Sequence, residues 1–552
     1  LCFSKYVKVD LHHRLDIYVE ELFINSNTPG IIYKDLLIQG SRVSESTGHV
    51  PGHIRAFNVR TGAQEWIFHT IPHPGEYGYD TWPEDAWKHS GGANSWSGFS
   101  LDQEAGVVFI PTGSASFDFY GGDRHGENLF ANCIIALNAS TGKRLWHYQT
   151  IRHDLWDRDL PAPPNLTTIT QNGVKKDVVA QITKSGHVFV LERKTGEPVF
   201  PIEEVPAPPS HLEGEQAWPT QPLPTKPPAF SRQEIKETDL PTRSKEAHDY
   251  ARSIWENSRL DGPFTPPGET NSFIFPGLDG GGEWGGAAVD KAGIMYVNNS
   301  EMPWLTQMVR YEPVTDNKLA SKGRQIYSTA CITCHGKELE GGEMFGNSPA
   351  LVDVKSRLAK AEITEIIQKG KGVMPGFGWI KDNDLDAILA FLFESDEINE
   401  KFNAEEENNW PYPYVYGGYK RFKAPDGYPA IKPPWGSLNA IDLNKGEILW
   451  KITLGEHKAL TEQGIPPTGT EMYGGPVVTA GGLVFIAATM DEKIRALDKR
   501  DGKLLWEADL PAAGYATPAV YAVDGKQYIV IAAGGGKLSS KSGDAYVAFA
   551  LP

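Results

Sequence analysis

A hairpin pattern that closes on a large aromatic residue recurs five times, and it constrains the fold more than any other feature of this chain. In each copy an apolar run with period-two alternation leads to a polar turn ending in Gly, and a second apolar run ends on Trp or Phe. The alternation predicts two strands, and the Gly supplies the positive φ that a tight turn needs. The copies are IRAFNVRTGAQEW (54–66), IIALNASTGKRLW (134–146), VFVLERKTGEPVF (188–200), LNAIDLNKGEILW (438–450) and IRALDKRDGKLLW (494–506).

The spacing of these hairpins favours an all-β propeller. Their turn glycines lie at positions 62, 142, 196, 446 and 502, so that neighbouring copies are 54 to 80 residues apart, except across one long gap. Such spacing suits one four-stranded blade with its loops, and the closing aromatic residue is large enough to wedge between adjacent sheets. About six blades are expected. A series of hairpins from a β-sandwich is the alternative.

The long gap between Gly196 and Gly446 contains a segment whose pattern is helical, at about residues 313–403. Apolar residues recur with helical spacing in 317–336, 360–370 and 382–395. The first of these stretches runs into STACITCHG, which contains Cys-x-x-Cys-His. That motif attaches c-type haem through two thioethers, and its His becomes an axial iron ligand. Chance or half of a zinc site is the alternative for the motif taken alone.

The helical segment resembles a small class I cytochrome c domain. The likeness rests on Cys-x-x-Cys-His, on Gly323 and Tyr327 in the first helix, and on a Gly/Pro loop with a Met before the last helix. It implies a haem bound to Cys331 and Cys334, with His335 as the proximal ligand and Met374 as the distal ligand. Met344 is the weaker candidate. His/Met ligation favours electron transfer over oxygen chemistry.

The remaining sequence resembles the quinoprotein dehydrogenases, and most closely their membrane-type glucose dehydrogenase branch. These are eight-bladed propellers that hold pyrroloquinoline quinone (PQQ) and a divalent metal, calcium or magnesium, on the central axis. The likeness begins near residue 28. It is carried by GEYGYDTWPEDAW (75–87), GGANSWSG (91–98), PTGSASFDFYGGDRHGENLFA (111–131), RHDLWDRDLPAPPNL (152–166), AQITKSGHVFVLERKTGEPVFPIEE (180–204), PTQPLPTKPPAF (219–230), GEWGGAAVD (282–290) and GKQYIVIAAGGG (525–536).

The resemblance assigns roles to five residues. Asp157 would be the general base and Lys184 the cation that stabilises the reduced quinone. Trp96 would stack on the quinone, Trp284 would line the cofactor, and Glu45 would bind the metal. Each has an ordinary alternative: Asp157 as a turn cap, Lys184 as a solvated side chain, Trp96 as a blade wedge.

Three departures from the quinoprotein pattern stand out. The chain has no adjacent pair of cysteines, although the alcohol-oxidising branch carries one near the quinone. Ser114 stands where that branch has a metal-binding Asn. The first blades have no counterpart, and the sequence reads as a truncated propeller whose residues 1–20 need not belong to it.

Charge and composition exclude some functions. A net charge of −17 argues against nucleic acid or an anionic membrane as the main partner. No apolar run is long enough to span a membrane, and no Gly-x-Gly-x-x-Gly lies between a strand and a helix. Two cysteines remain, Cys2 and Cys133, and we expect two unrelated thiols rather than a disulfide.

Together these observations predict a propeller in two parts, 1–312 and 404–552, interrupted by a cytochrome domain at 313–403. The expected activity is PQQ-dependent oxidation of an aldose such as glucose, or of a polyol. Electrons would pass to the haem and then to an external acceptor, a cytochrome or the quinone pool. An alcohol or quinate-type substrate and a non-catalytic electron-transfer propeller are the alternatives. Covalent haem attachment implies the periplasm.

Overall fold

The computed structural model describes residues 23–45, 50–342, 348–372, 374–380, 382–395 and 410–551. Short antiparallel strands dominate it. In chain order they are β1 Ile24–Asn25, β2 Ile31–Tyr33, β3 Leu36–Gln39, β4 Arg42–Val43, β5 Ile54–Asn58, β6 Gln64–Phe68, β7 Gly91–Gly92, β8 Ser100–Asp102, β9 Val107–Pro111, β10 Ala115–Ser116, β11 Cys133–Asn138, β12 Arg144–Gln149, β13 Asn165–Gln171, β14 Val174–Ile182, β15 Val188–Glu192, β16 Ile202–Pro206, β17 Thr220–Pro224, β18 Ser272–Ile274, β19 Ala287–Val289, β20 Ile294–Ser300, β21 Trp304–Arg310, β22 Tyr414–Arg421, β23 Gly436–Asp442, β24 Glu447–Thr453, β25 Val477–Val478, β26 Leu483–Ile486, β27 Lys493–Asp498, β28 Leu504–Asp509, β29 Ala519–Val523, β30 Lys526–Gly535 and β31 Ser542–Ala550.

Six meander sheets form the blades of a propeller. Blade 1 is β2-β3-β5-β6, blade 2 is β8-β9-β11-β12 and blade 3 is β13-β14-β15. Blade 4 is β19-β20-β23-β24, blade 5 is β25-β26-β27-β28 and blade 6 is β29-β30-β31. Each blade shares a buried apolar core with the next one along the chain. The predicted propeller is thus confirmed, and the described part of the chain holds about the expected number of blades.

The recurring hairpin has a physical role in holding neighbouring blades together. Trp146 packs on the turn glycine of blade 3, where a Cβ on Gly196 would lie 2.6 Å from the indole. The Trp146 indole N–H also donates to the Arg193 carbonyl at 3.1 Å. Trp66 of blade 1 and Trp450 of blade 4 repeat both contacts on the following blade. The turn therefore needs Gly twice, for its positive φ and for the space the indole occupies.

Blade 4 contains a long excursion between its two central strands. β20 pairs directly with β23, although more than a hundred residues separate them. The excursion includes β21 and β22, which pair with each other and, together with β18, form a separate three-stranded sheet. The predicted cytochrome segment lies between β21 and β22, so it joins two neighbouring antiparallel strands.

Helices are few and lie mainly in this region. They are α1 Lys245–Glu256, α2 Leu319–Ala330, α3 Ile332–His335, α4 Lys360–Lys369, α5 Asp382–Leu392 and α6 Lys458–Thr461. Four short 3-10 turns cover Tyr79–Thr81, Ala86–Lys88, Glu237–Asp239 and Val354–Ser356. Helix α2 crosses α5 closely, since a Cβ on Gly323 would lie 1.9 Å from the Ala387 carbonyl oxygen. Among the described residues, no helix is both long and apolar enough to cross a membrane.

Two sequence expectations fall on residues outside the described ranges. Met344 and Cys2 both lie there. Cys133 is a free thiol, completely buried in blade 2. Burial raises the pKa of the Cys133 thiol well above its usual value, so this side chain behaves as a small apolar residue.

Candidate active site and haem-binding segment

Asp157 and Lys184 meet at one end of the blades. Asp157 lies on the connection from β12 to β13 with a φ of 53°, and Lys184 lies on the turn between β14 and β15. The Lys184 ammonium donates a hydrogen bond to Asp157 Oδ1 at 2.8 Å, and both side chains are largely buried. Two residues that are 27 positions apart in sequence therefore form one charged pair, as the resemblance predicted they could.

A buried carboxylate fixes the loop that carries Asp157. Asp154 accepts hydrogen bonds from the backbone N–H groups of Trp156 and Arg158 at 2.9 and 2.7 Å. It also accepts from the Ser114 hydroxyl at 2.5 Å and the Asn132 amide at 2.7 Å. These bonds hold the left-handed conformation of the residue between them. Ser114, the departure noted in the sequence, thus contacts this loop.

Trp96 lies beside the same loop through a second carboxylate. Its indole N–H donates to Asp159 Oδ2 at 2.8 Å, while Asp159 Oδ1 accepts from the Ser114 backbone N–H at 2.6 Å. Asp159 Oδ2 also lies 3.7 Å from the Lys184 ammonium. The Asp159 carboxylate can lie this close to the backbone only because residue 113 is Gly, since a Cβ there would lie 2.4 Å from it. The half-buried Trp96 ring is therefore held at the edge of the charged pair.

Further carboxylates face the Asp157–Lys184 pair. Burial, reinforced by Asp157, Glu45 and Asp159, raises the pKa of Asp118 well above its usual value. Burial also raises the pKa of Asp157, with Lys184 acting in the opposite direction and Asp159 and Glu45 adding to the rise. Burial, followed by the charge of Asp159, raises the pKa of Glu45, while Lys184 and Arg42 act in the opposite direction.

The balance of charge in this cluster favours a cation. Burial alone would lower the pKa of Lys184, but Asp157, Asp159 and Glu283 outweigh it and hold the ammonium protonated. One ammonium faces several carboxylates, whose oxygens are ligands that suit calcium or magnesium. Glu45, Asp118 and Asp157 are the candidates to hold such an ion, but in this structure their oxygens do not all lie within 4.8 Å of one another, so they would have to move closer on binding.

The opposite wall is built from the glycine-rich run after β18. A Cβ on Gly281 would lie 2.3 Å from the Lys184 carbonyl oxygen, so this run must be free of side chains to reach the Lys184 turn. It carries Glu283, whose pKa is raised to about 8, first by burial and then by Asp279. Trp284 follows, 38% exposed, with its ring stacked on Tyr473 at a centroid separation of 6.1 Å. An exposed tryptophan next to a buried carboxyl is suited to cover a flat ligand.

Two buried hydroxyls beside this cluster lack partners. Ser41 Oγ and Ser95 Oγ are inaccessible to solvent, yet neither has a hydrogen-bond partner. Ser95 directly precedes Trp96, and a Cβ on Gly40 would lie 2.3 Å from the Ser95 carbonyl oxygen, so the two serines are close neighbours. Buried polar groups without partners are costly. The half-buried ring of Trp96 and the buried ammonium of Lys184 are the groups that fit PQQ, which is flat and carries several carboxylates.

A separate histidine cluster lies in blade 1 and the loop that follows it. His53, His69 and His73 bring one ring nitrogen each within 4.8 Å of one another. His69 Nδ1 contacts Glu76 at 2.9 Å. However, His53 Nδ1 accepts the backbone N–H of Thr70 at 3.1 Å, which in the neutral ring puts the proton on Nε2. His53 then has no lone pair free for a metal, so the cluster lacks its third ligand.

The helical segment buries the histidine of its Cys-x-x-Cys-His motif. His335 is buried, and its Nδ1 donates to the Pro349 carbonyl at 2.9 Å, which leaves Nε2 for iron. Cys331 and Cys334 are free and half-buried on the same turn. Burial, with a contribution from Cys334, raises the pKa of the Cys331 thiol to about 12. Met374 lies on the loop between α4 and α5, half-buried against their shared core. These side chains fit covalent haem attachment.

Sequence reasoning missed two of the residues that the structure brings together. Asp118 lies between aromatic residues in SFDFYGG (116–122) and has no pattern of its own. Asp159 follows Asp157 by two positions, and that repeat of acidic residues was the available signal.

Fold and site define a class of protein, a β-propeller whose centre gathers carboxylates around one ammonium and whose fourth blade carries a haem-attachment motif. The sequence matches the family described as glucose/ethanol/alcohol dehydrogenase, beta-propeller domain (PQQ), over residues 2–340 and 387–529. The chain therefore belongs to the PQQ β-propeller dehydrogenase family. Residues 318–392 match cytochrome C oxidase, cbb3-type, subunit III, which supports a haem domain.

Curated relatives are longer than this chain. Quinoprotein glucose dehydrogenase of Escherichia coli is 33% identical over 96% of the chain, which covers 58% of that protein. Quinate/shikimate dehydrogenase (quinone) of Acinetobacter baylyi is 32% identical over 93% of the chain, which covers 56% of it. The solved quinohemoprotein alcohol dehydrogenase of Comamonas testosteroni aligns with a TM-score of 0.55 at 19% identity, over 94% of this chain and 58% of that one. This last likeness concerns the fold.

Proposed function

We propose that the protein oxidises a hydroxyl-bearing carbon of an aldose or polyol with bound PQQ and delivers the electrons to a covalently bound haem. The observation that carries this proposal is the 2.8 Å contact between Asp157 and Lys184 within a cluster of buried carboxylates. Perturbed titratable groups gathered in a cleft are typical of catalytic sites.

Asp157 is the residue suited to take the proton from the substrate hydroxyl. Its raised pKa makes it a stronger base than an exposed aspartate. Bound PQQ supplies the acceptor for the hydride that leaves the same carbon. Lys184 orients the Asp157 carboxylate through its hydrogen bond and provides positive charge where negative charge develops on the acceptor. Trp96 is held by its hydrogen bond to Asp159. Together with Trp284 it limits the space on either side of the bound cofactor.

A divalent cation held by Glu45, Asp118 and Asp157 would balance the surplus of carboxylates. It would also compete for the Asp157 lone pairs and keep that carboxylate ionised at neutral pH, since a nearby positive charge favours the charged form. Calcium and magnesium are the ions such oxygen donors prefer.

The haem would be attached to Cys331 and Cys334, with His335 and Met374 as axial ligands. Bound haem would supply one-electron chemistry, so each substrate molecule would require two successive transfers, with an external cytochrome or quinone as the final acceptor. Covalent haem attachment implies the periplasm or an equivalent oxidising compartment. The periplasm is therefore the proposed location.

Glucose is the first substrate to test, because the relative at 33% identity carries that name. A cyclic polyol acid is the second, because a relative at 32% identity is named for quinate and shikimate. The charge of Arg421 bears on the choice between a neutral sugar and a polyol acid. Arg421 is already paired with Asp279 and Glu471 at 2.6 and 2.5 Å, so it offers little to a substrate carboxylate. Neutral sugars are therefore favoured.

The test is reduction of the haem absorption bands in purified, haem-loaded protein supplied with PQQ, a divalent metal and one substrate at a time. We expect glucose or a related aldose to reduce the haem, and Asp157→Asn to slow this by about a hundredfold to ten-thousandfold. Haem content, measured from the same spectrum, serves as the control for folding. If no hydroxyl compound reduces the haem, or if the variant equals wild type, the enzymatic proposal fails and a non-catalytic electron-transfer propeller remains.

A further inference from the structure

Strand β22 borders both the central cluster and the haem-attachment motif. It follows the helical segment directly and pairs with β21, with an irregularity where Gly417 and Gly418 add to the strand. Its aromatic residues Tyr416 and Tyr419 belong to or pack against the cluster that contains Phe119 and Trp304. No other strand among the described residues contacts helix α3 to a comparable extent. The two halves of the proposed redox chemistry therefore share one strand.

The Tyr416 side chain faces the central cluster. Its ring stacks on Phe119 with centroids 4.2 Å apart and planes 6° from parallel. Its hydroxyl accepts a hydrogen bond from Thr306 Oγ1 at 3.2 Å. Burial, with contributions from Asp157 and Asp118, raises the pKa of Tyr416 well above its usual value, so the phenol keeps its proton. The ring is thus a rigid, neutral group beside the proposed catalytic carboxylate.

The Tyr416 backbone faces the haem-attachment motif. Its carbonyl accepts a hydrogen bond from Thr333 Oγ1 at 3.1 Å, and Thr333 directly precedes Cys334. The approach depends on Gly418, whose φ is 90° and where a Cβ would lie 2.6 Å from the Thr333 carbonyl oxygen. Only a residue without a side chain allows the strand and the motif to lie this close.

We propose that Tyr416 and Thr333 form the electron path between the central site and the haem. From the Tyr416 ring to Cys334 the route is covalent except for the single hydrogen bond between the Tyr416 carbonyl and Thr333 Oγ1. This inference rests on the proposed function, because it needs a donor at the centre and a haem on Cys334.

The path moves electrons and no atoms. Two electrons leave the substrate in one oxidation, and they cross singly, each reducing one ferric iron to the ferrous state before the external acceptor removes it. The Tyr416 ring is not oxidised and its hydroxyl proton does not move. Its role is to provide bonded and stacked orbitals between the central site and the haem-attachment motif. Any aromatic ring at position 416 can fill this role.

The experiment compares four variants of the haem-loaded protein reconstituted with PQQ and metal. Tyr416→Leu removes the ring, Tyr416→Phe keeps it, and Thr333→Val removes the hydroxyl while keeping the shape. Tyr414→Leu is the matched control, because Tyr414 lies on the same strand and its hydroxyl forms hydrogen bonds with Arg310 and Glu269, away from the central carboxylates. Three quantities are measured: turnover with a dye that takes electrons from the centre, the rate of haem reduction in a single turnover, and the haem midpoint potential.

We expect Tyr416→Leu and Thr333→Val to slow haem reduction by an order of magnitude or more. Dye-coupled turnover and haem midpoint potential should remain those of wild type, and Tyr416→Phe and Tyr414→Leu should reduce the haem at the wild-type rate. The path is refuted if Tyr416→Leu keeps the wild-type rate, if Tyr414→Leu slows it equally, or if a shifted midpoint potential accounts for the slowing. Absence of dye-coupled turnover in the wild-type protein would instead refute the proposed function.

Discussion

The blades and the centre of the propeller are held together by different physical means. Between blades 2 and 3, contact is made by apolar residues and by Trp146 seated on Gly196, and the same arrangement recurs from blade 1 to blade 2 and from blade 4 to blade 5. At the centre, Asp157, Asp159 and Glu283 act on the Lys184 ammonium, and no part of this arrangement repeats among the described blades.

The difference follows from what each region must do. Apolar burial stabilises in proportion to area and tolerates small changes in position, so one pattern serves every blade. Buried charges stabilise only when partners and geometry match, and otherwise they cost stability. The centre therefore carries a stability cost that a bound cation and cofactor would offset, and the blades supply the stability that permits it.

The strongest test of this contrast is to remove the Lys184 ammonium, which contacts Asp157 at 2.8 Å. Lys184→Met leaves that carboxylate without its partner, and breaking a buried pair in this way costs about 3–5 kcal/mol. We expect the free energy of unfolding to fall by that amount, measured by denaturant titration with the metal chelated. The double variant Lys184→Met/Asp157→Asn should regain a large part of the loss.

An exposed pair provides the control. Arg60 and Asp35 form an ion pair at 2.9 Å on blade 1, with side chains 75% and 56% exposed. Arg60→Met should change the free energy of unfolding by less than about 1 kcal/mol, because solvent screens such pairs. Equal effects of Arg60→Met and Lys184→Met would show that the centre is not the charged, desolvated cluster described here.

Sequence patterns predicted the blades well because the pattern of each hairpin is local. The alternation, the turn glycine and the closing aromatic all lie within thirteen residues of one another in IIALNASTGKRLW (134–146). Helices α4 and α5 were predicted for the same reason, from apolar spacing in 360–370 and 382–395. Helix α1 was not predicted. It lies in a Pro-flanked segment between blades 3 and 4, where no repeated pattern indicates the secondary structure.

The centre was only partly predictable. Asp157 and Lys184 came from a family resemblance, and their 2.8 Å contact joins two blade connections that no local pattern links. Asp118 reaches the same place from another loop, and Tyr416 reaches it from strand β22, outside the blades. Their roles depend on the fold bringing distant segments together, and a single sequence carries no signal of that convergence.

The next test concerns the space that a blade turn leaves for tryptophan. Gly142 has a φ of 70°, and a Cβ there would lie 2.5 Å from the Trp66 indole. Gly142→Ala should lower the free energy of unfolding by about 3 kcal/mol, combining backbone strain with displacement of the indole. Gly173→Ala is the matched control, because φ is 79° there and no atom lies within 4 Å. It should cost only about 1–2 kcal/mol, the strain alone.

The pH dependence of stability tests the charge at the centre. Burial raises the pKa of Glu283 from 4.5 to about 8, so between these values the folded state retains a proton that the unfolded state has lost. Stability is then full below the unfolded pKa and declines as pH rises toward the folded pKa. In metal-free protein we expect Glu283 to contribute a loss of roughly 2–3 kcal/mol between about pH 5 and about pH 7, in addition to losses of the same sign from Asp157 and Asp118, and Glu283→Gln should remove the Glu283 contribution. An unchanged pH profile in the variant would contradict the assignment.

The smallest expected effect comes from exchanging one aromatic residue for another at a contact between blades. Phe200 of blade 3 occupies the place that Trp146 has in blade 2, and it packs on Gly446 without an N–H to donate. Trp146→Phe copies that natural case, so the variant should fold normally and lose about 1–2 kcal/mol, the hydrogen bond to the Arg193 carbonyl and some packing area. Thermal unfolding measures the change. A loss as large as that of Lys184→Met would mean that blade contacts demand the same specific partners as the centre. A small loss would show that apolar contact, renewed at each blade, tolerates exchange where the charged centre does not.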